Sequence, residues 1–146
     1  MNTIIKNEII VELHKTLMSD PPRIDYLKER RGITKDTITK YMIGYDQNTN
    51  RYTIPIKDSI GNYVNVRKWK DSTPKMISYG HGYGEGRLYP IENLMNGKNK
   101  VLICEGEWDC LLLNQNGINA VTGTTGALSW KEEWNIFFKH FDGILK

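Results

Sequence analysis

Val101-Leu-Ile-Cys-Glu-Gly-Glu-Trp-Asp109 is the stretch whose reading decides the fold. Its first four residues form an apolar run that follows the polar turn Asn96-Gly-Lys-Asn99, the pattern of a short strand buried on both faces. Glu105-Gly-Glu107 breaks the run. Trp108 to Asn116 reads as a helix with Leu111, Leu112 and Leu113 turned inward, and Gly117 stops it. Ile118 to Val121 reads as a second buried strand and Gly123-Thr-Thr-Gly126 as a tight loop. Trp130 to His140 reads as a helix, and Gly143-Ile-Leu-Lys146 opens a third strand. Strand, helix, strand, helix, strand implies right-handed crossovers and a parallel sheet.

Upstream the periodicity differs. Ile5, Ile9, Leu13 and Leu17 recur at helical spacing, with Ile10 beside them. Ser19-Asp-Pro-Pro22 ends that helix and starts the next, Asp20 capping and proline filling the first turn. This second helix carries Ile24, Tyr26 and Leu27 and ends on the basic run Lys28 to Arg31 before Gly32. Thr34 caps a third, short helix through Tyr41, closed by Gly44. From Arg51 the period becomes two. Arg51 to Lys57 and Tyr63 to Trp69 form a β-hairpin around the turn Asp58-Ser-Ile-Gly61. Pro55 has no N–H to give a ladder, so its strand belongs at an edge or a bulge. Residues 71–87, rich in glycine, read as a loop. The fold class is therefore α/β: an α+β lobe with an antiparallel hairpin, then the start of a parallel, Rossmann-like sheet, with the boundary at 97/98.

A chain of 146 residues has room for two small lobes of this kind. Apolar residues make up 39% and charged residues 25%, which excludes a disordered or fibrous chain. A net charge of +3 permits nucleic-acid binding without demanding it. No apolar run is long enough to span a bilayer, and charges interrupt residues 1–15 where a signal-peptide core would lie, so we expect a cytoplasmic protein with no membrane partner. Cys104 and Cys110 have no Cys or His at zinc-ligand spacing. We expect two buried free thiols and no zinc. His14, His81 and His140 are scattered, each a surface or packing residue.

In open α/β sheets, ligands bind beyond the carboxyl ends of the strands. Glu105 occupies that place. Asp109 lies one helical turn on, facing the same side, and Gly106 lets the chain turn between them. Two carboxylates converging there suit a hard divalent cation such as Mg²⁺, which clamps phosphates in phosphoryl transfer. Gly123, Thr124, Thr125 and Gly126 open the next helix at the same rim, where backbone N–H groups can cradle a phosphate. The same acids also suit a helix N-terminus, complementing its macrodipole. Spacing alone leaves both readings open.

The run Val101 to Asp109, with Leu111 and then Asn116-Gly-Ile-Asn-Ala-Val-Thr-Gly-Thr-Thr-Gly-Ala127, resembles the first two motifs of the TOPRIM domain. That domain is shared by bacterial-type DNA primases, phage and mitochondrial primase-helicases, type IA and type II topoisomerases and some nucleases. The Glu-Gly-Glu-x-Asp form looks like that of the phage primase-helicase branch. Leu27-Lys-Glu-Arg-Arg-Gly-Ile-Thr34, Thr37-Ile38, Tyr41 and Ile43-Gly44 are similar to the helical lead-in of the primase RNA-polymerase core. Tyr52-Thr-Ile-Pro-Ile-Lys-Asp58, Gly61-Asn62, Val64, Thr73-Pro-Lys75 and Leu88-Tyr89 are similar to the hairpin that follows it. Topoisomerases lack this preamble. The resemblance spans about residues 23 to 145.

It implies a primase-core N-terminal lobe over residues 1–97 and the N-terminal half of a TOPRIM domain over 98–146, from a nucleotidyltransferase that makes short RNA primers during DNA replication. The implied partners are a single-stranded DNA template, nucleoside triphosphates and a replicative helicase on the same or another chain. Glu105 is then the general base or metal-bridging carboxylate at the primer 3′-hydroxyl, and Asp109 supports the metal, Mg²⁺ or Mn²⁺. Arg67, Lys68, Lys70, Lys75 and Arg87 are candidates to meet template and triphosphate; charged residues on a strand edge also serve simply to block aggregation. Trp69, Tyr79 and Tyr83 are candidate base-stacking residues, with packing favoured for Trp69. Two departures stand out. The family's Asp-x-Asp motif, expected after the third strand, is absent (Asp142 precedes that strand), so this chain should bind metal weakly and not catalyse alone. The family's zinc module is absent as well. Two alternatives remain: an inactive single-stranded-DNA-binding module of a phage or mobile element, and a TOPRIM nuclease.

Overall fold

Asp20 begins the second helix of the structure, a computed structural model that describes residues 3–126 and 129–145. Its side chain accepts from the Arg23 N–H at 3.4 Å, and Pro21 and Pro22 follow in the first turn. The chain forms two compact units, Met1–Gly84 and Glu85–Lys146. Ala127 of the TOPRIM-like run and Lys146 of the expected third strand lie outside the described residues.

The first unit holds α1 (Asn7–Met18), α2 (Pro21–Arg31) and α3 (Lys35–Lys40) against a sheet of β1 (Gly44–Asp46), β2 (Arg51–Lys57), β3 (Tyr63–Trp69) and β4 (Met76–Ile77), antiparallel in the order β1-β2-β3-β4. Ile5 is not on α1 as its spacing suggested. It lies before the helix and bridges Tyr63, donating its N–H to the Tyr63 carbonyl at 2.9 Å. Gly44 does not cap α3 but begins β1. A Cβ there would lie 2.5 Å from the Leu13 carbonyl carbon, so glycine is what lets α1 lie against this strand. Pro55 sits in an interior strand. β1 pairs with β2 only at Arg51–Thr53, however, so Pro55 lies past its end, and the register shifts at the neighbouring Ile56/Lys57. β4 interrupts the expected loop of residues 71–87. It is anchored by buried Asn65, whose side chain accepts from the Tyr79 N–H at 3.0 Å and donates to Ser78 Oγ at 3.1 Å.

The second unit is a four-stranded sheet of β5 (Leu88–Tyr89), β6 (Lys100–Cys104), β7 (Ala120–Gly123) and β8 (Gly143–Leu145) in the order β5-β7-β6-β8. β6 runs parallel to both β7 and β8, as expected; β5 adds an antiparallel edge. β5 and the 3-10 turn Ile91–Leu94 therefore belong to this unit, and the division falls at 84/85 rather than where the βαβ pattern begins. α4 (Glu107–Gln115) crosses from β6 to β7. Only Leu111 of its three successive leucines is fully buried, because a helix cannot turn three neighbours the same way. The expected helix Trp130–His140 is instead a 3-10 segment, Glu132–Phe138. Lys131 at its start gives no side-chain cap, and the segment is held by packed rings: Trp130 lies 5.2 Å from Trp134 and 5.3 Å from Phe138. With Leu88, Ile91, Leu94, Val101, Val121 and Phe141, Trp134 and Phe138 form the core. No helix among the described residues is long and apolar enough to cross a membrane.

Candidate active site at the ends of the parallel strands

β6 and β7 run side by side in the register Cys104↔Thr122, so both carboxyl ends finish at one rim. Glu105 is the first residue beyond β6 and is exposed. Gly106 then adopts φ +96°, ψ 143°, a region essentially reserved for glycine, and α4 starts at Glu107. The Gly106 N–H donates to Thr122 Oγ1 at 3.1 Å, and that hydroxyl donates in turn to the Gly123 carbonyl. Thr122 is fully buried, so it fixes the turn that presents Glu105. Asp109, also exposed, reaches back over this turn: its Oδ2 lies 4.0 Å from where a Gly106 Cβ would be. Glu107, between them in sequence, is buried. The sequence pattern thus separates by function: two acids face solvent at the strand end and the third serves the fold. Thr122 escaped the sequence reading, since nothing in a lone strand threonine announces its acceptor role.

Glu105 and Cys104 share a cavity of about 530 Å³ with Gly123, Gly126, Trp130 and Phe138. Cys104 is half-buried rather than buried as expected, because it faces this cavity; Cys110, on α4, is buried. The two thiols are within hydrogen-bond reach, and the bond from Cys110 holds Cys104 below an ordinary thiol while raising Cys110.

The loop Gly123–Gly126 borders the same cavity but does not open a helix; the next helical segment begins at Glu132. Two of its N–H groups are engaged within the protein, Thr124 with the Arg87 carbonyl at 2.8 Å and Gly126 with the Gly123 carbonyl at 3.2 Å. Thr124 Oγ1 accepts from the Arg87 N–H at 2.9 Å, which ties buried Thr124 to the residue before β5. Thr125 and Gly126 are the exposed members. Arg87 also ion-pairs with Glu85 at 2.9 Å, and Lys131 meets the other oxygen of Glu85 at 3.0 Å. The hydrogen bond from Lys131, then the charge of Arg87, hold the Glu85 carboxyl below its ordinary value. Lys131 is a cation beside Arg87 that the sequence reading did not single out.

The remaining basic candidates lie in the first unit. Strand alternation puts Arg67 and Lys68 on opposite faces of β3. Arg67 donates to Ser78 Oγ at 3.0 Å. Lys68 forms a buried ion pair with Asp46 at 2.9 Å, side chains 12% and 10% exposed. Lys70 is half-buried and Lys75 exposed, the Lys70 N–H closing their turn on the Lys75 carbonyl at 3.0 Å. Trp69 is buried, 6.0 Å from Tyr52 and beneath the Arg31 guanidinium. Tyr79 and Tyr83 meet edge to face and pack against the cluster of Ile5, Ile10 and Val66.

Among the described residues, no group of three or more His, Cys, Asp or Glu side chains is placed to hold a metal ion. Glu105 and Asp109 are two oxygen donors open to water. That set suits a hydrated divalent cation that keeps most of its waters, and lacks the thiolate and imidazole ligands of a zinc site.

No family model matches this chain, and no curated protein matches it in sequence. Its fold does match solved structures. The Escherichia coli primase catalytic core superposes with TM-score 0.74 at 19% identity, covering 94% of this chain and 59% of that one. A primase catalytic domain bound to single-stranded DNA gives 0.70 at 20% identity, covering 94% and 59%. The RNA polymerase domain of Mycobacterium tuberculosis primase in complex with double-stranded DNA gives 0.72 at 16% identity, covering 94% and 60%. The chain therefore has the mixed α/β fold of bacterial primase catalytic cores, and it spans about three fifths of their length.

Proposed function

We propose that this chain is part of a primase-type nucleotidyltransferase that makes short RNA primers on single-stranded DNA during replication in the cytoplasm. The observation that supports it most is the pair Glu105 and Asp109, exposed at the carboxyl end of β6 on a fold that matches primase cores over nearly all of this chain. In this reading Glu105 accepts the proton of the attacking 3′-hydroxyl or shares in binding a divalent cation, and Asp109 acts beside it. Mg²⁺ or Mn²⁺, when bound by these two acids, would neutralise charge on the triphosphate. Thr122 and Gly106 hold Glu105 in place. Thr125 and the Arg87–Lys131 pair are suited to a phosphate at the same rim. Arg67, Lys70 and Lys75 of the first unit would meet template and triphosphate, while Lys68 is engaged by Asp46. Two water-exposed carboxylates make a weak metal site, so we expect weak metal binding by this chain alone. We expect a helicase and a phage or mobile-element setting for the parent protein.

A binding module without chemistry is the second reading, favoured by the one observation that, among the described residues, no third acidic, His or Cys side chain joins Glu105 and Asp109 in a metal-holding group. The test is templated primer synthesis by the parent protein, with single-stranded DNA, labelled ribonucleotides and Mg²⁺ or Mn²⁺, beside its Glu105→Gln variant. Short labelled products that vanish in the variant are expected. DNA binding at low salt without products would leave the second reading standing and remove the first.

A further inference from the structure

The first unit contains a pocket unrelated to the acids of β6. It lies between the start of α2 and the row of side chains that crosses the sheet in the register Tyr45↔Tyr52↔Trp69. Its volume is about 460 Å³, within the range of small-ligand sites. Three of its walls are rings already buried by the fold: Tyr45, Tyr52 and Trp69. The fourth, Tyr26, is different. It is 43% exposed although it stands beside that row, and its ring is within 10° of parallel to Tyr52 at 6.2 Å. An exposed ring so aligned is a ready stacking surface.

Both carboxylates around these rings are engaged by arginines. The Arg23 guanidinium lies over Tyr45, 3.9 Å from the ring centre, and is held by Asp20 at 2.8 Å. Lys70 and Asp71 also line the pocket, with Asp71 tied to Arg30. Arg23, Arg30 and Lys70 therefore stand against two carboxylates, with Arg31 over Trp69, so the surround carries a cationic excess that suits the phosphate of a nucleotide. The exposed Asn50 amide, which both donates and accepts, completes the lining. Flat π faces with donors and acceptors at their edges match a heteroaromatic ring bearing its own donors and acceptors.

The geometry points to a nucleobase-binding pocket in the first unit: one unstacked base, from a single strand or a free nucleotide, stacks on Tyr26 and is met at its edge by Arg23 and Asn50. This does not depend on the chemistry proposed for Glu105.

The test uses the whole chain and a short thymidine oligonucleotide carrying one 2-aminopurine, whose fluorescence falls on stacking. We expect saturable quenching, loss of affinity by roughly fivefold or more in Tyr26→Ala, and binding within about twofold of the original in Tyr26→Phe, which keeps the ring. An oligonucleotide with an abasic spacer at that position should bind the unaltered protein more weakly, a comparison that needs no variant to fold. Displacement by a nucleoside monophosphate would identify a free nucleotide as a ligand, and resistance to it would identify a base within a strand. Unchanged binding by Tyr26→Ala, or equal binding of the abasic strand, overturns the proposal. A parent protein that makes no primers while its 2-aminopurine signal is still quenched would sink the polymerase reading and leave the pocket intact.

Discussion

At the scale of single residues, Gly106 and Asp46 carry the most consequence. Gly106 holds a conformation that a side chain strains, so Gly106→Ala should cost about 1–3 kcal/mol in denaturant unfolding. It should also disturb the Glu105–Asp109 pair, reducing any Mn²⁺ binding followed by paramagnetic relaxation of water protons. Unchanged stability would mean that the turn relaxes without cost. Asp46 is the acid partner of Lys68. Burial raises its carboxyl, but hydrogen bonds from Lys68, Thr49 and the Asn48 N–H outweigh that and hold it below the ordinary value near 3.8. A depressed folded value means a contribution complete above about pH 4 that drains away as pH falls through the folded value. Asp46→Asn should therefore destabilise by roughly 3 kcal/mol at neutral pH, leaving Lys68 uncompensated. The gap to the original protein should narrow in acid, and a pH-independent gap would refute this account. The role of Asp46 was not legible in the sequence, because Lys68 lies across two strands from it and only the register brings them together.

At the scale of elements, what the sequence displayed were the segments whose signals are strong and local. The apolar run of β6, the glycine after it and the leucines of α4 predicted strand, turn and helix, and the two solvent-facing acids with them. Asp20 and Thr34 likewise announced α2 and α3 as caps, both confirmed by their side-chain hydrogen bonds. Three of the shortest elements were missed. β1, β4 and β5 are too short for a period of two to register, and they exist because partner strands and Asn65 hold them. Trp130, Trp134 and Phe138 recur every four residues, a spacing an α-helix would also show, yet the segment is 3-10 and its rings pack on one another. A network of amides was equally silent. Asn93 and Asn114 both donate to the Ala120 carbonyl at 3.0 Å, and Asn119 donates to the Asn93 carbonyl at 3.2 Å, joining the 3-10 turn, α4 and the start of β7. Asparagine runs read as loop until their partners are known.

At the scale of the whole molecule, the modest net charge of +3 conceals a division. Residues 1–84 carry fourteen Lys and Arg against nine Asp and Glu, a net of +5. Residues 85–146 carry six against eight, a net of −2. The first unit is thus suited to a phosphate backbone and the second to a cation. Binding of single-stranded DNA should weaken with salt, the logarithm of affinity falling by about 0.7 per phosphate contact for each unit of log salt. Lys75→Ala should lower that slope by about one contact and weaken all sequences alike, as measured by anisotropy titrations at several salt concentrations. An unchanged slope would remove Lys75 from the interface.

The bond from the Gly106 N–H to Thr122 Oγ1 bears on which changes of length the chain tolerates. α4 reaches β7 through only the four residues 116–119, and Asn119 is itself fastened to the Lys100 carbonyl at 2.9 Å. Inserting one residue there would slip β7 by one position against β6 and turn the Thr122 hydroxyl to the other face of the sheet. The turn below Glu105 would lose its acceptor, although neither carboxylate had been touched. Related chains should therefore keep the length of this connection, and insertions should accumulate instead in the hairpin turn at 58–62, where Ile60 is 81% exposed.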